Sequence, residues 1–257
     1  HWYPKRWGRQ ARSGPGRWIP CRRGFDNFGD LLGPLIVERI RERRGLGRPR
    51  SRSTRLLAVG SIMRLAQPGD IVWGSGINGK SVAQSVFPRL DVRAVRGPRT
   101  AAVLRAFGND VPEVFGDPAL LIPQLWSDEE LGVDRGTGGL VLMPNYNDAR
   151  QWPEHALSPR GGALERVRQL ASAERVVASS LHALVIAEAY GVPAVPVASS
   201  KEPPFKYEDY YEGTGRVLPP LAPDWRAGLD AEPAPAITDW DPAALLAAFP
   251  AELWRTR

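Results

Sequence analysis

Apolar positions along this chain switch repeatedly between a helical period and short β-rich runs. After Asp30, the residues Leu31, Leu32, Leu35, Ile36 and Ile40 share one helical face, with Arg39, Arg41, Arg43 and Arg44 mostly off it. Asn27 or Asp30 is placed to cap that helix, and Gly45 to end it. The pattern then predicts a strand over 55–59, a helical patch closing at Pro68-Gly69, and a strand over 70–73. A third strand over 90–95, a helix over 98–107 closed by Gly108, and a fourth strand over 111–115 follow.

The alternation repeats further on. Strands are predicted over 140–143, 175–178 and 194–197, and helices over 162–173 and 181–190. An aromatic-acidic stretch covers 205–215, a Pro-rich loop 218–236 and a last helix 242–253. Short strands alternating with helices indicate an α/β fold with mainly parallel sheets. The expected arrangement is two Rossmann-like halves facing a cleft. A basic N-terminal arm covers 1–23, an N-terminal Rossmann-like domain 24–125, and a C-terminal one with a closing helix 126–257.

Composition narrows the function. At 257 residues, 43% hydrophobic and 24% charged, the chain can bury a core, and bulk disorder is excluded. No apolar run reaches the roughly 18–20 residues of a membrane span. A single cysteine, Cys21, excludes an intrachain disulfide framework and a CxxC metal site, and points to a reducing compartment. The chain opens at His1 rather than Met, so an upstream piece is to be expected. The net charge of +6 is unevenly spread: residues 1–55 hold 15 basic against four acidic side chains, and the remainder is net acidic. A basic segment of this kind suits nucleic acid or an anionic membrane surface, or is simply a solvated arm.

Two stretches carry candidate chemistry. The loop Gly74-Ser75-Gly76-Ile77-Asn78-Gly79-Lys80-Ser81 matches both a dinucleotide fingerprint and a P-loop. Context opposes both, because Arg96 rather than an acid ends the next strand and Pro88 cuts the following helix short. What remains is a tight turn, or a loop lining a phosphate-bearing substrate site, to which Gly74, Ser75, Gly76, Asn78 and Lys80 would belong. The second stretch, Val176-Val177-Ala178-Ser179-Ser180-Leu181-His182, runs from a buried strand into a helix. Ser179 and Ser180 stand where free backbone N–H groups and the helix dipole favour an anion, and an anion there would raise the pKa of His182 so that it can act as general acid.

Arg96-Gly97-Pro98-Arg99 adds two arginines at the carboxyl end of a strand, where open sheets bind ligands. Asn27-Phe28-Gly29-Asp30 sets a carboxylate at a helix start, as a cap or as a catalytic group. Cys21 reads as structural. His1 and His155 have no chemical context, and no spacing suggests a metal site.

Six segments in order carry a resemblance. They are Asn27-Phe28-Gly29-Asp30, IVWGSGINGK (71–80), LDVRAVRGPRT (90–100), VPEVFGDPALL (111–121), SSLHALVIAEAYGVPAV (179–195) and FKYEDYYEGTGR (205–216). The series resembles the polysaccharide pyruvyltransferase family, most closely its xanthan ketal pyruvate transferase branch, over about residues 24–255. The resemblance implies a GT-B-like fold and transfer of pyruvate from phosphoenolpyruvate to two hydroxyls of a sugar, giving a cyclic ketal on an exopolysaccharide or cell-surface glycan. It implies no cofactor beyond that donor, and no nucleic-acid partner.

By the same resemblance, His182, Ser180 and Leu181 face the donor phosphate and Arg96 the donor carboxylate or phosphate, with Asp30 at the same cleft. An arginine often precedes the Leu-His pair in the wider family. Ser180 stands there, as in the xanthan-type branch, so anion binding leans on Arg96, Arg99 and Lys80 or Lys206. Ala183 replaces a glycine, and 198–204 departs from an acidic loop. Within 205–211, Tyr207, Asp209, Tyr210 and Tyr211 are expected either to hold a sugar or to form a surface loop. The expected location is the cytoplasm, at the inner membrane face, with a lipid-linked acceptor recruited by the basic arm. A GT-B glycosyltransferase using a nucleotide sugar is the alternative enzyme, and a non-catalytic binder using the arm is the third reading.

Overall fold

The computed structural model describes residues 5–11, 18–24, 27–51, 53–80, 82 and 86–256, with the backbone alone for the first two segments. The first elements are β1 (Lys5–Ala11), β2 (Trp18–Gly24), α1 (Phe28–Arg43), β3 (Leu46–Pro49), β4 (Leu56–Leu57), β5 (Ile71–Trp73), β6 (Asp91–Ala94) and α2 (Pro98–Ala106). Then follow α3 (Ile122–Leu125), α4 (Asp128–Leu131), β7 (Leu140–Met143), α5 (Ala163–Ala171), β8 (Arg175–Ala178), α6 (Leu181–Ala189) and β9 (Ala194–Pro196). The last are α7 (Phe205–Gly213), α8 (Trp225–Asp230), α9 (Pro242–Ala247) and β10 (Trp254–Thr256).

The fold is mixed α/β with two parallel three-stranded sheets, β4-β5-β6 and β7-β8-β9. Strands bracketed by helices need crossover connections, which is why neighbours run parallel. The chain's end returns to its beginning: β10 pairs antiparallel with β3, and Trp73 on β5 donates its indole N–H to the carbonyl of Leu245 at 2.8 Å. The largest apolar cluster joins both sheets, running from Phe28, Ile36 and Trp73 to Val176, Leu184 and Tyr207. Helix α6 is buried nearly all round (Leu184, Val185, Ile186, Ala187), each branched side chain contributing about 1.5–3 kcal/mol of burial. This anchors its amino end. Among the described residues no helix is long and apolar enough to cross a membrane.

Several local expectations change. Residues 5–11 and 18–24, which lack strand alternation, pair as antiparallel strands. Residues 111–115 form no strand; one parallel bridge, Val95 to Phe115, is what remains of it. The aromatic-acidic stretch is helix α7, whose Tyr207, Tyr210 and Tyr211 are fully buried. A helical period was present there, since positions 207, 210 and 211 share one face. The Pro-rich loop contains α8, begun by Asp224, whose side chain accepts from the N–H groups of Arg226 and Ala227. The last helix ends at Ala247, with a separate 3-10 turn at Ala251–Leu253. His1, Ser81 and the side chain of Cys21 lie outside the described residues.

Candidate active site

A cavity of about 490 Å³ opens between the amino ends of α1 and α6, and the charges on its wall come from several stretches of chain. Helix α6 supplies Ser180, Leu181 and His182. Ser180 is its N-cap residue yet makes no side-chain cap, so its hydroxyl and the first N–H groups of the helix remain for a ligand. Ser179 is buried behind: its Oγ accepts from the N–H of Asn145 at 2.8 Å, and its carbonyl accepts from the Tyr207 hydroxyl at 2.6 Å.

The first turn of α1 frames His182. The Phe28 ring meets the imidazole edge-on at 6.3 Å, and a Cβ on Gly29 would fall 2.1 Å from Nδ1. Asp30 Oδ1 and His182 Cε1 flank Gly60, lying 3.6 and 3.9 Å from where a Cβ there would sit. Burial raises the pKa of Asp30, against an opposing hydrogen bond from Asn27 (3.1 Å) and the charge of Arg64. A carboxylate so raised is a better base. His182 is 13% exposed. Burial, then the charges of Lys206 and Arg96, push its pKa down to about 3, so the resting imidazole is neutral; the expected rise belongs to the state with an anion bound.

Asp117, fully buried behind the imidazole, presents Oδ2 to His182 Nε2 at 3.9 Å. Neither atom has a hydrogen-bond partner. Leaving such atoms unpaired costs about 1–3 kcal/mol each. Burial pushes the Asp117 pKa up to about 6, against the N–H of Ala119 and the charge of Arg96.

Opposite His182, Glu202 gathers the polar groups of three segments. It accepts from Asn78, from Lys80 and, at 3.1 Å, from Asn147, and lies 3.8 Å from Lys206 Nζ. Burial alone would raise the Glu202 pKa; Lys206 and the bonds from Lys80 and Asn78 hold it lowered. Burial pushes Lys206 down to about 8, with Glu202 opposing. Arg64, on the 3-10 turn Met63–Leu65, reaches the same cavity and makes no hydrogen bond or ion pair among the described residues.

Several expected ligand groups lie elsewhere. Arg96 is fully buried: Nε donates to Asp209 at 3.0 Å, Nη1 to Ser61 and Nη2 to the Ile77 carbonyl, both at 2.7 Å. Its donors are engaged within the protein, and it does not line the cavity. Arg99 pairs with Glu208 and Glu212 outside it. The glycine-rich loop divides. Gly74 (φ +83°) packs on Pro118, Gly76 lies against the Arg96 guanidinium, and buried Ser75 donates to the Gly60 carbonyl at 2.9 Å. The loop's second half, Ile77, Asn78, Gly79 and Lys80, lines the cavity. Tyr207 is sealed in the core and offers no face to a sugar, and Asp209 is held by Arg96 and Thr100.

Sequence reasoning gave no site role to Arg64, Asp117, Asn145, Asn147 or Glu202. Asp117 carried a local signal, as the Asp before a proline that caps a turn. The group its second oxygen faces, His182 Nε2, comes from α6 and leaves no local trace. A second depression, about 580 Å³ beside edge strand β7, is lined by His155 and Arg168 but by none of the expected site residues. Among the described residues no group of His, Cys, Asp and Glu could hold a metal ion.

A family model described as polysaccharide pyruvyl transferase matches residues 27–201. The chain belongs to that family. The matched span of this pyruvyl transferase domain begins at Asn27, contains Asp30, Arg64, Asp117 and His182, and stops just before Glu202 and Lys206. The chain is also similar to the succinoglycan biosynthesis protein ExoV of Rhizobium meliloti (strain 1021), with 28% identity over 183 residues. That match covers 65% of this chain and 56% of the relative, so the chain spans little more than half of that protein. No solved structure matches it.

Proposed function

We propose that this chain transfers pyruvate from phosphoenolpyruvate onto two hydroxyls of one sugar residue of an exopolysaccharide or cell-surface glycan, forming a cyclic ketal and releasing phosphate. The observation that carries the reading is the meeting of a neutral His182, the uncapped start of α6, Asp30 and the cations Arg64 and Lys206 around one cavity. Phosphoenolpyruvate brings a phosphate and a carboxylate. A helix amino end and two cations suit these anions, and the negative charge they bring favours the imidazolium form of His182. Arg64 and Lys206 take the part that Arg96 and Arg99 were expected to play.

His182 gives a proton to the methylene carbon while a sugar hydroxyl adds to the adjacent carbon and loses its proton to Asp30. Phosphate then leaves with the electrons of its C–O bond and takes up the proton held by Asp30, which restores that carboxylate. The second hydroxyl adds to the resulting cation, and its proton returns to the imidazole. Holding both hydroxyls in one site makes that closure intramolecular, an orientation effect that can contribute several kcal/mol.

The reading extends to the architecture: the two parallel sheets would be the cores of two Rossmann-like, GT-B-like halves, 24–125 and 126–257. The basic segment would face an anionic membrane carrying a lipid-linked acceptor. The test is phosphate release from phosphoenolpyruvate that depends on a glycan acceptor, with a mass gain of one pyruvate ketal on that glycan. His182→Ala should abolish turnover with the fold intact. Full turnover in that variant, or transfer only from a nucleotide sugar, would overturn the reading.

A further inference from the structure

The carboxylate behind the imidazole has no part in the steps above. Asp117 spends one oxygen on its own turn: Oδ1 accepts from the N–H of Ala119 at 3.0 Å, capping the 3-10 helix Pro118–Leu121. The other oxygen is buried, unpartnered and aimed at the buried, unpartnered Nε2 of His182. Their 3.9 Å separation is about 1 Å beyond an ordinary ~2.9 Å hydrogen bond.

Both residues are braced. Gly116 (φ +145°) packs under Trp240, whose indole N–H donates to the Phe115 carbonyl at 2.9 Å, and Pro118 presses on Gly74. Phe28 and Gly29 close on the imidazole from α1. The ring thus has Nε2 turned inward to a carboxylate, and only Nδ1 is left to serve the cavity.

We propose that Asp117 is a positioning residue for His182: its carboxylate accepts the Nε2 proton and fixes the tautomer whose Nδ1 lone pair serves the cavity. The proposal rests on the reading of His182 as the proton donor. When the donor binds, Nδ1 takes a proton from solvent, and the imidazolium is balanced by the Asp117 carboxylate at Nε2. Nδ1 then gives that proton to the methylene carbon, takes one back from the second hydroxyl and releases it to solvent, so one proton enters and one leaves and the ring returns to the neutral Nε2–H form.

The charges around the ring arrange the timing. Lys206 and Arg96 oppose its protonation, Asp117 favours it from behind, and Asp30 stands across Gly60. Without the donor the cations and burial prevail; with an anion in the cavity the balance reverses. The acid is loaded only when its substrate is present.

The experiment is ¹⁵N NMR of the His182 imidazole in the full chain, assigned by loss of its signals in His182→Gln. At neutral pH the resting protein should show a protonated Nε2 and a bare Nδ1, and phosphoenolpyruvate should protonate Nδ1. Asp117→Asn keeps the cap on Ala119 but presents an amide donor to Nε2, so the proton should move to Nδ1. Its kcat should fall about 10²- to 10⁴-fold with the KM for phosphoenolpyruvate within about threefold. A resting Nδ1–H tautomer, or a kcat within about threefold of wild type, would overturn the proposal. If Asp117→Asn fails to fold, the wild-type tautomer decides alone. That measurement needs no turnover, so it separates failure of the Asp117 role from failure of the pyruvyl-transfer reading.

Discussion

Arg96 and Asp209 form an ion pair sealed from solvent, with Nε 3.0 Å and Nη2 2.9 Å from one carboxylate oxygen. It ties the end of β6 to α7 across 113 positions of sequence. Asp209 also accepts the N–H and hydroxyl of Thr100, so the pair is fully hydrogen-bonded. Removing one partner strands the other's charge, at a cost of about 3–5 kcal/mol. Arg96→Ala and Asp209→Ala should each lose that much in urea unfolding, and the double variant less than the sum. Full stability with weakened donor binding in Arg96→Ala would instead restore the arginine to the site.

Arg99 is expected to behave differently. It is 39% exposed, and its partners Glu208 and Glu212 lie on the same surface. Exposed pairs contribute roughly 0–1 kcal/mol. Arg99→Ala should therefore leave stability within about 1 kcal/mol and the KM for phosphoenolpyruvate within about twofold, as steady-state kinetics would show.

Gly29 tests the frame around His182. In a helix, Ala is ordinarily favoured over Gly by about 1 kcal/mol. Here its methyl would fall 2.1 Å from Nδ1 and push the ring aside. Gly29→Ala should fold, yet lose at least about tenfold in kcat. Unchanged kcat would mean that the ring's position is not critical.

Lys206 sets an alkaline limit. Its pKa near 8 means that the charge is present below pH 8 and lost as pH rises through it. The KM for phosphoenolpyruvate should climb above that pH in wild type. It should be raised about ten- to a hundredfold at neutral pH in Lys206→Met, the loss of one charged hydrogen bond. Lys206→Arg should move the alkaline limit out of range. A flat KM from pH 7 to 9 would argue against the role.

Asp117 makes stability depend on pH in a defined direction. Its pKa is about 6 when folded against an ordinary 3.8, so the folded state holds the extra proton between those values. Stability from this group is present below pH 3.8 and lost as pH rises through 6. Asp117→Asn removes the ionisation, so its stability relative to wild type should grow by about 2 kcal/mol between pH 4 and 7. His182, depressed to about 3, contributes the opposite trend in both proteins, losing stability as pH falls below 6.5, and cancels in the difference. A difference flat across that range in thermal melts would refute the buried ionisation.

Much of the fold was legible locally. The strands at Leu140–Met143 and Arg175–Ala178 fall where their β-rich runs predicted, and Gly45 and Gly108, at positive φ, end the helices they were expected to end. The turn from β8 into α6 and the helix start at Asn27 were equally visible. Helix α7 was hidden because its tyrosines read as a binding surface. Their burial depends on Glu188, which receives the hydroxyls of Tyr210 and Tyr211 at 2.7 Å and lies more than twenty positions away.

The sequence by itself determined the order of strands and helices and the two turns that bring Asp30 and His182 to the cavity, because periodicity and capping are local properties. Tertiary structure alone decided which charges serve that cavity. A guanidinium is a ligand group or a structural tie according to what reaches it. Asp209 takes Arg96 out of play, while Arg64 stays open and Lys206 is partly desolvated on the wall. The orphan oxygen of Asp117 became meaningful only when α6 brought Nε2 to face it. Desolvation and counter-charge are delivered by residues distant in sequence, so no local pattern could have assigned them.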